Sequence, residues 1–119
     1  LATRGTVDLY NPKVVRSSAG AIFHLPIFTE LGFSEIADKA DKSGLPLYVA
    51  QTESGKSWDE ISWGAGGVIV IGNEGAGASP FWKKVNSVPV RIPMREGAES
   101  INAAMAATVL CFTAARKKQ

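Results

Sequence analysis

Three stretches of this sequence hold residue types that can do chemistry at short spacing. The first is Gly72-Asn73-Glu74-Gly75-Ala76-Gly77. Its glycines let backbone approach a ligand closely. Glu74 sets a carboxylate mid-loop, where a plain turn needs none. The spacing G-x-x-G-x-G is neither the dinucleotide fingerprint nor a phosphate loop closed by Lys-Ser/Thr. A glycine-rich tight turn is the competing reading. The second stretch runs from Ile92 to Asn102 and reads I-P-M-R-E-G-A-E-S-I-N. It joins an apolar run to a helical one, and Ser100 and Asn102 stand where helix N–H groups are free to bind an acceptor. A simple N-cap by Ser100 is the alternative. The third stretch, Asn11 to Gly20, carries Lys13 and Arg16 three apart on one helical face. With Ser17 and Ser18 that face suits phosphate, and a solvated amphipathic helix explains it equally well.

Other residues are read as structural. His24 is the only histidine and Cys111 the only cysteine, so neither a zinc site nor a Cys-His pair is expected. Cys111 falls in an apolar helical run and is expected as a small buried hydrophobe. Trp58, Trp63 and Trp82 can stack on bases, but aromatics of this kind are more often packing residues. Asp59-Glu60 reads as a solvated helix or loop end.

These residues need elements to hold them. Asn11 caps a helix over Pro12 to about Ala21, with Pro12 at its first position. The spacing of Phe28, Leu31, Ile36, Ala37 and Ala40 predicts a second helix over Phe28 to Lys42, stopped by Ser43-Gly44. Leu47 to Ala50 is a short strand. Val68 to Ile71 is continuously apolar and β-branched, which predicts a central strand covered on both faces. Ser79-Pro80 starts a short helix ending near Val85. Val88 to Ile92 is a strand, and Pro89 argues for an edge or strand-start location. Ser100 caps a last helix from Ile101 to about Arg116. Its apolar stripe is Ile101, Met105, Thr108 or Val109, and Phe112, and its alanines permit close packing. Alternating strands and helices indicate an α/β fold, and Gly72 to Gly77 follows a strand end, where such folds gather ligands.

Composition narrows the classes. The chain has 119 residues, 45% hydrophobic and 20% charged, with a net charge of +2. That allows one domain and is too apolar for disorder. No apolar run reaches the ~18 residues of a membrane helix. The mild total hides an asymmetry of −4 over residues 30–60 and +5 over residues 81–119. The basic end, with Arg116-Lys117-Lys118, suits a phosphate-rich partner or a solvated tail. The chain begins at Leu1 without a visible leader, which suggests a processed chain or an excised piece.

Two segments in order carry a resemblance: V-I-V-I-G-N-E-G-A-G (Val68 to Gly77) and I-P-M-R-E-G-A-E-S-I-N-A-A-M-A (Ile92 to Ala106). With Gly5 to Phe23 ahead of them, the chain resembles the SpoU (TrmH-like) RNA ribose 2′-O-methyltransferases of the SPOUT superfamily. The resemblance implies a mostly parallel sheet with flanking helices and a trefoil α/β knot. It implies S-adenosylmethionine as cofactor, ribosomal or transfer RNA as partner, a homodimer and no metal. It also implies an intracellular location, whether bacterial cytoplasm or an organelle. Carried over by position, Gln51, Gly72, Asn73, Glu74, Gly75, Gly77, Ile92, Met94, Ser100 and Ile101 would hold the cofactor. Glu74, Ser100 and Asn102 match polar residues beside the transferred methyl. Lys13, Arg16 and Arg95 would meet RNA, with Arg91 a further candidate. S-I-N-A-A-M and Ala78-Ser79-Pro80 depart mildly from the family pattern. The family's first motif, N-x-G-x-x-x-R-T in type, is missing, so its strand, helix and catalytic arginine are expected upstream of Leu1. The fragment alone is then expected to be inactive. A non-catalytic knotted RNA-binding or ribosome-assembly protein is the alternative, and an unrelated nucleotide-binding α/β domain a third.

Overall fold

The computed structural model describes residues 1–97 and 100–116. Ala98 and Glu99 of the second stretch, and Lys117 and Lys118 of the basic tail, lie outside the described residues. The chain divides into two compact units, Leu1–Ile36 and Ala37–Gln119.

In the first unit, helix α1 spans Pro12–Ser17. Asn11 caps it as expected, its side chain accepting from the Lys13 amide at 2.9 Å. The helix stops short of Ala21. The Ser17 and Ser18 hydroxyls donate back to the carbonyls of Lys13 and Val15, both at 2.7 Å, a local competition that disfavours continued helix. A 3-10 turn over Ala21–Phe23 follows. Helix α2 spans Phe33–Lys42, not Phe28 to Lys42. Residues 28–31 instead run beside residues 2–4, with Ala2 donating to Phe28, Leu31 to Ala2 and Arg4 to Leu31. Thr3 and Leu31 form a parallel bridge. Phe28 and Leu31 fit helical spacing, but these backbone bonds to a sequence-distant segment override it.

Helix α2 ends as Ser43-Gly44 predicts. Gly44 adopts φ +63°, its amide donates to Asp41 and the Leu45 amide donates to Ala40. This paired capping pattern requires a left-handed residue, which glycine supplies without steric cost. The strands are β1 (Leu47–Gln51), β2 (Lys56–Ser57), β3 (Val68–Val70) and β4 (Ser87–Arg91). Their order is β2-β4-β1-β3, and every pairing is parallel.

Two strand expectations change. Among the described residues β3 is an edge, and Val68, Ile69 and Val70 are half-buried. The strand covered on both faces is β1, whose Leu47, Tyr48 and Val49 are all buried. An apolar β-branched run marks a strand and does not rank it within the sheet. Conversely, Pro89 lies in β4, an internal strand. It is tolerated because β2 is only two residues long and pairs with Val90 and Arg91, beyond Pro89.

One face of the sheet carries an extended core cluster. Tyr48, Ile61, Trp63, Val90 and Leu110 cluster there, with Ala50, Ile69, Ile71, Val88 and Ala114 packed around them. The Tyr48 and Trp63 rings stand 4.7 Å apart, tilted by 52°, and the Tyr48 hydroxyl donates to the Ser62 carbonyl. Trp63 and Trp82 are buried, as packing residues are. On the way to β4, Ser79 caps a 3-10 turn over Pro80–Lys84.

Helix α3 spans Ala103–Arg116. Its buried stripe is not the one the large residues suggest. Met105 and Phe112 are 65% and 69% exposed, while Leu110 is buried and Ala103, Ala106 and Ala114 are half-buried. Cys111 is exposed rather than buried, and the only histidine, His24, is exposed as well. The small side chains face inward and let α3 lie close to the sheet. Leu110, 1% exposed, fills the space they leave. Leu110→Ala is expected to lower unfolding free energy by about 2–5 kcal/mol, read from urea denaturation followed by circular dichroism.

Candidate functional site

β1, β3 and β4 are parallel, so their carboxyl ends share one side of the sheet, where the loops after them can converge. They do so around an open cleft of about 590 Å³. The floor is apolar, made by Ala50, Ile71, Val90, Ile92 and Leu110. The rim carries Glu53, Glu74, Glu96, Arg91 and Arg95.

The loop after β3 is tightly built. Asn73 and Gly77 exchange backbone hydrogen bonds of 3.0 and 2.8 Å, closing the loop on itself. Gly72 lies flat against this closure, and a Cβ there would overlap the backbone of Gly77 and Ala78. Only glycine permits so close an approach. The Asn73 side chain accepts from the amides of Gly75 at 2.8 Å and Ala76 at 3.4 Å.

Across the cleft, Asn102 begins α3. Its Oδ1 accepts from the amides of Ala104 at 2.9 Å and Met105 at 3.4 Å. Asn102, not Ser100, is therefore the N-cap, and the helix starts two residues later than expected. Its Nδ2 donates to Glu74 Oε1 at 2.5 Å. One side chain thus caps the helix and ties it to the glycine loop. With Oδ1 engaged by the helix, only the NH2 edge of the amide is left to face Glu74.

All ten residues expected to hold a cofactor line this cleft: Gln51, Gly72, Asn73, Glu74, Gly75, Gly77, Ile92, Met94, Ser100 and Ile101. Asn102 joins them through Glu74. Arg95 is exposed on the rim. The Arg91 Nε donates to the Gly55 carbonyl at 3.2 Å, which tethers it to the loop before β2. Lys13 and Arg16 are both exposed on α1 and belong to the unit Leu1–Ile36. The cleft also includes Thr52 and Glu53 after β1, and Ala103, Ala106 and Leu110 of α3, which sequence reasoning missed. The spacing of those three α3 residues does mark one helical face.

A model of the SpoU rRNA Methylase family matches residues 1–112. Over 116 residues the chain is 34% identical to the 23S rRNA (uridine(2479)-2'-O)-methyltransferase of Streptomyces viridochromogenes, covering 93% of this chain and 40% of that protein. It is 30% identical over 108 residues to the 23S rRNA (guanosine(2553)-2'-O)-methyltransferase of Bacillus subtilis, covering 91% and 43%. The crystal structure of the SpoU methyltransferase AviRb from Streptomyces viridochromogenes, in complex with the cofactor AdoMet, matches with a TM-score of 0.86 and 32% identity. That match covers 99% of this chain and 48% of AviRb. The chain spans less than half the length of these relatives. Family model, curated relatives and fold agree, and exclude an unrelated nucleotide-binding domain: the chain belongs to the SpoU rRNA methylase family.

Proposed function

We propose that this chain forms the cofactor-binding part of an enzyme that transfers a methyl group from S-adenosylmethionine to a ribose 2′-hydroxyl of ribosomal or transfer RNA. The observation that carries this reading is the cleft at the ends of β1, β3 and β4. There the two family segments meet through the Glu74–Asn102 hydrogen bond. The reading includes a knotted domain, a homodimer and a catalytic arginine outside these 119 residues, so that the chain alone does not complete the transfer.

The residues present fit this cofactor. S-adenosylmethionine supplies a methyl group carried on a cationic sulfur. The apolar floor of Ala50, Val90 and Leu110 suits an adenine ring. The rim carboxylates of Glu53, Glu74 and Glu96 suit a cation. Glu74 makes the rim favourable to positive charge, and Asn102 fixes its direction. The Ser100 hydroxyl, exposed at the cleft, can donate to or accept from a ribose hydroxyl held there. An unactivated ribose hydroxyl is a weak nucleophile, so catalysis depends on orientation and on a nearby proton acceptor. Arg95, Lys13 and Arg16 supply phosphate contacts, which order RNA without reading its bases.

Titration calorimetry of the native full-length protein with S-adenosylmethionine is expected to show one site per chain; no binding would overturn the reading. In the same protein, Glu74→Ala and Asn102→Ala are each expected to lower methyl transfer at least about tenfold. That is the effect of one lost charge-assisted hydrogen bond of ~1.5–3 kcal/mol. Asn102→Ala also loses the α3 cap, at about 1 kcal/mol, so thermal melts accompany the rates. Unchanged rates in folded variants would remove both residues from the site.

A further inference from the structure

We infer that Asn73 is a positioning residue, whose side chain shapes the Gly72–Gly77 loop and thereby aims Glu74 at Asn102. The inference rests on the cleft being the cofactor site proposed above. Asn73 is one of the ten cleft residues, and its place in the sequence makes it look like a direct ligand. Its hydrogen bonds say otherwise. The Oδ1 atom is engaged inside the loop by the amides of Gly75 and Ala76. Its backbone N–H and C=O are engaged by Gly77. One residue therefore holds the three that follow Glu74.

The loop needs that hold. Between Gly72 and Gly77 three of six residues are glycine, and glycine loses more conformational freedom on ordering than any other residue. No residue of the loop is buried, so packing does not fix it. What remains within the loop is the backbone pair with Gly77 and the Asn73 side chain, and across the cleft the Glu74–Asn102 bond. Glu74 sits directly after Asn73, and in the loop shape that the bonds within the loop define its carboxylate reaches Asn102. When the Asn73 acceptor is removed, the loop spreads over other shapes. Apparent affinity for a ligand of the cleft then falls by the fraction of molecules still in the binding shape.

Asparagine and aspartate separate positioning from direct contact. Aspartate keeps an oxygen at the Oδ1 position and loses the Nδ2 donor. A positioning residue survives that exchange, and a residue that touches the cofactor through Nδ2 does not. Added negative charge at this place also favours a cation, so tighter binding by the aspartate variant agrees with positioning.

The test compares wild type, Asn73→Ala and Asn73→Asp in the native full-length protein. Amide hydrogen exchange at Gly75 and Ala76 reads the loop. Calorimetry with S-adenosylmethionine, and KM and kcat for methyl transfer, read the site. Asn73→Ala is expected to speed exchange at both amides and to raise Kd and KM roughly tenfold, with a smaller change in kcat. Asn73→Asp is expected to restore slow exchange and to bind at least as tightly as wild type to within about threefold. Where Asn73→Ala does not fold, Asn73→Ser, with its shorter acceptor, is expected between the other two. Protected loop amides together with weak binding in Asn73→Asp would overturn the inference in favour of direct contact. Unchanged exchange and affinity in Asn73→Ala, or wild-type affinity in Asn73→Ser in its place, would overturn it outright. No cofactor binding by wild type would overturn the proposed function, and the exchange rates would still decide whether Asn73 shapes the loop.

Discussion

β1 pairs in parallel with β3 on one side, Leu47 opposite Val68, and with β4 on the other, Leu47 opposite Ser87. Parallel pairing sends the three chains out of the sheet on the same side. The loop after β1, the glycine loop after β3 and the segment after β4 then have one place to meet. An antiparallel partner at any of these positions would send its following loop to the opposite end and dismantle the cleft. The register is held by burial, because Tyr48 and Val49 face opposite sides of the sheet and both are buried. A slip of one residue would exchange the two faces.

Helix α3 couples stability to site geometry. Leu110 belongs to both the core cluster and the cleft floor. Two turns earlier, Asn102 caps the same helix and holds Glu74. The helix thus carries the floor at its middle and one side of the rim at its start. Its alanines allow the close approach that makes this possible. The large residues Met105 and Phe112 stay outside.

Much of this was legible in the sequence, and the remainder failed for identifiable reasons. Caps and stops were local events, so Asn11, Ser79 and Gly44 could be read directly. The two cleft segments carry distinctive residue types, and the ten residues carried over as cofactor contacts line one cleft, while Lys13 and Arg16 belong to the unit Leu1–Ile36. What was not legible depended on partners distant in sequence. Phe28 to Leu31 have helical spacing, yet backbone pairing with residues 2–4 decides their conformation. Position within a sheet is a property of neighbours, so neither the edge place of β3 nor the internal place of β4 among the described residues follows from their own sequences. In α3 periodicity points to the stripe of Ile101, Met105, Thr108 or Val109, and Phe112, yet Met105 and Phe112 are exposed and the buried face is that of Leu110, because apolar residues surround the helix. Alanine, the smallest of them, was the residue that mattered there. Asn102 is legible as a site residue, but its capping role is hidden by Ser100, an equally suitable capping residue type two positions earlier.

Floor and rim of the cleft occupy different levels of a stability hierarchy. Val90 and Leu110, each 1% exposed, belong to the buried core, where opening costs most. The bonds of the rim, from Asn73 to Gly75 and from Asn102 to Glu74, lie among exposed residues, where local opening costs little. A molecule entering the cleft therefore meets a finished surface below and an adaptable border around it. The conformational entropy that the protein loses on association then falls mainly on the border. Affinity for a small ligand can then be tuned by substitutions on the part of the rim that does not cap α3, with little effect on the folding equilibrium of the sheet.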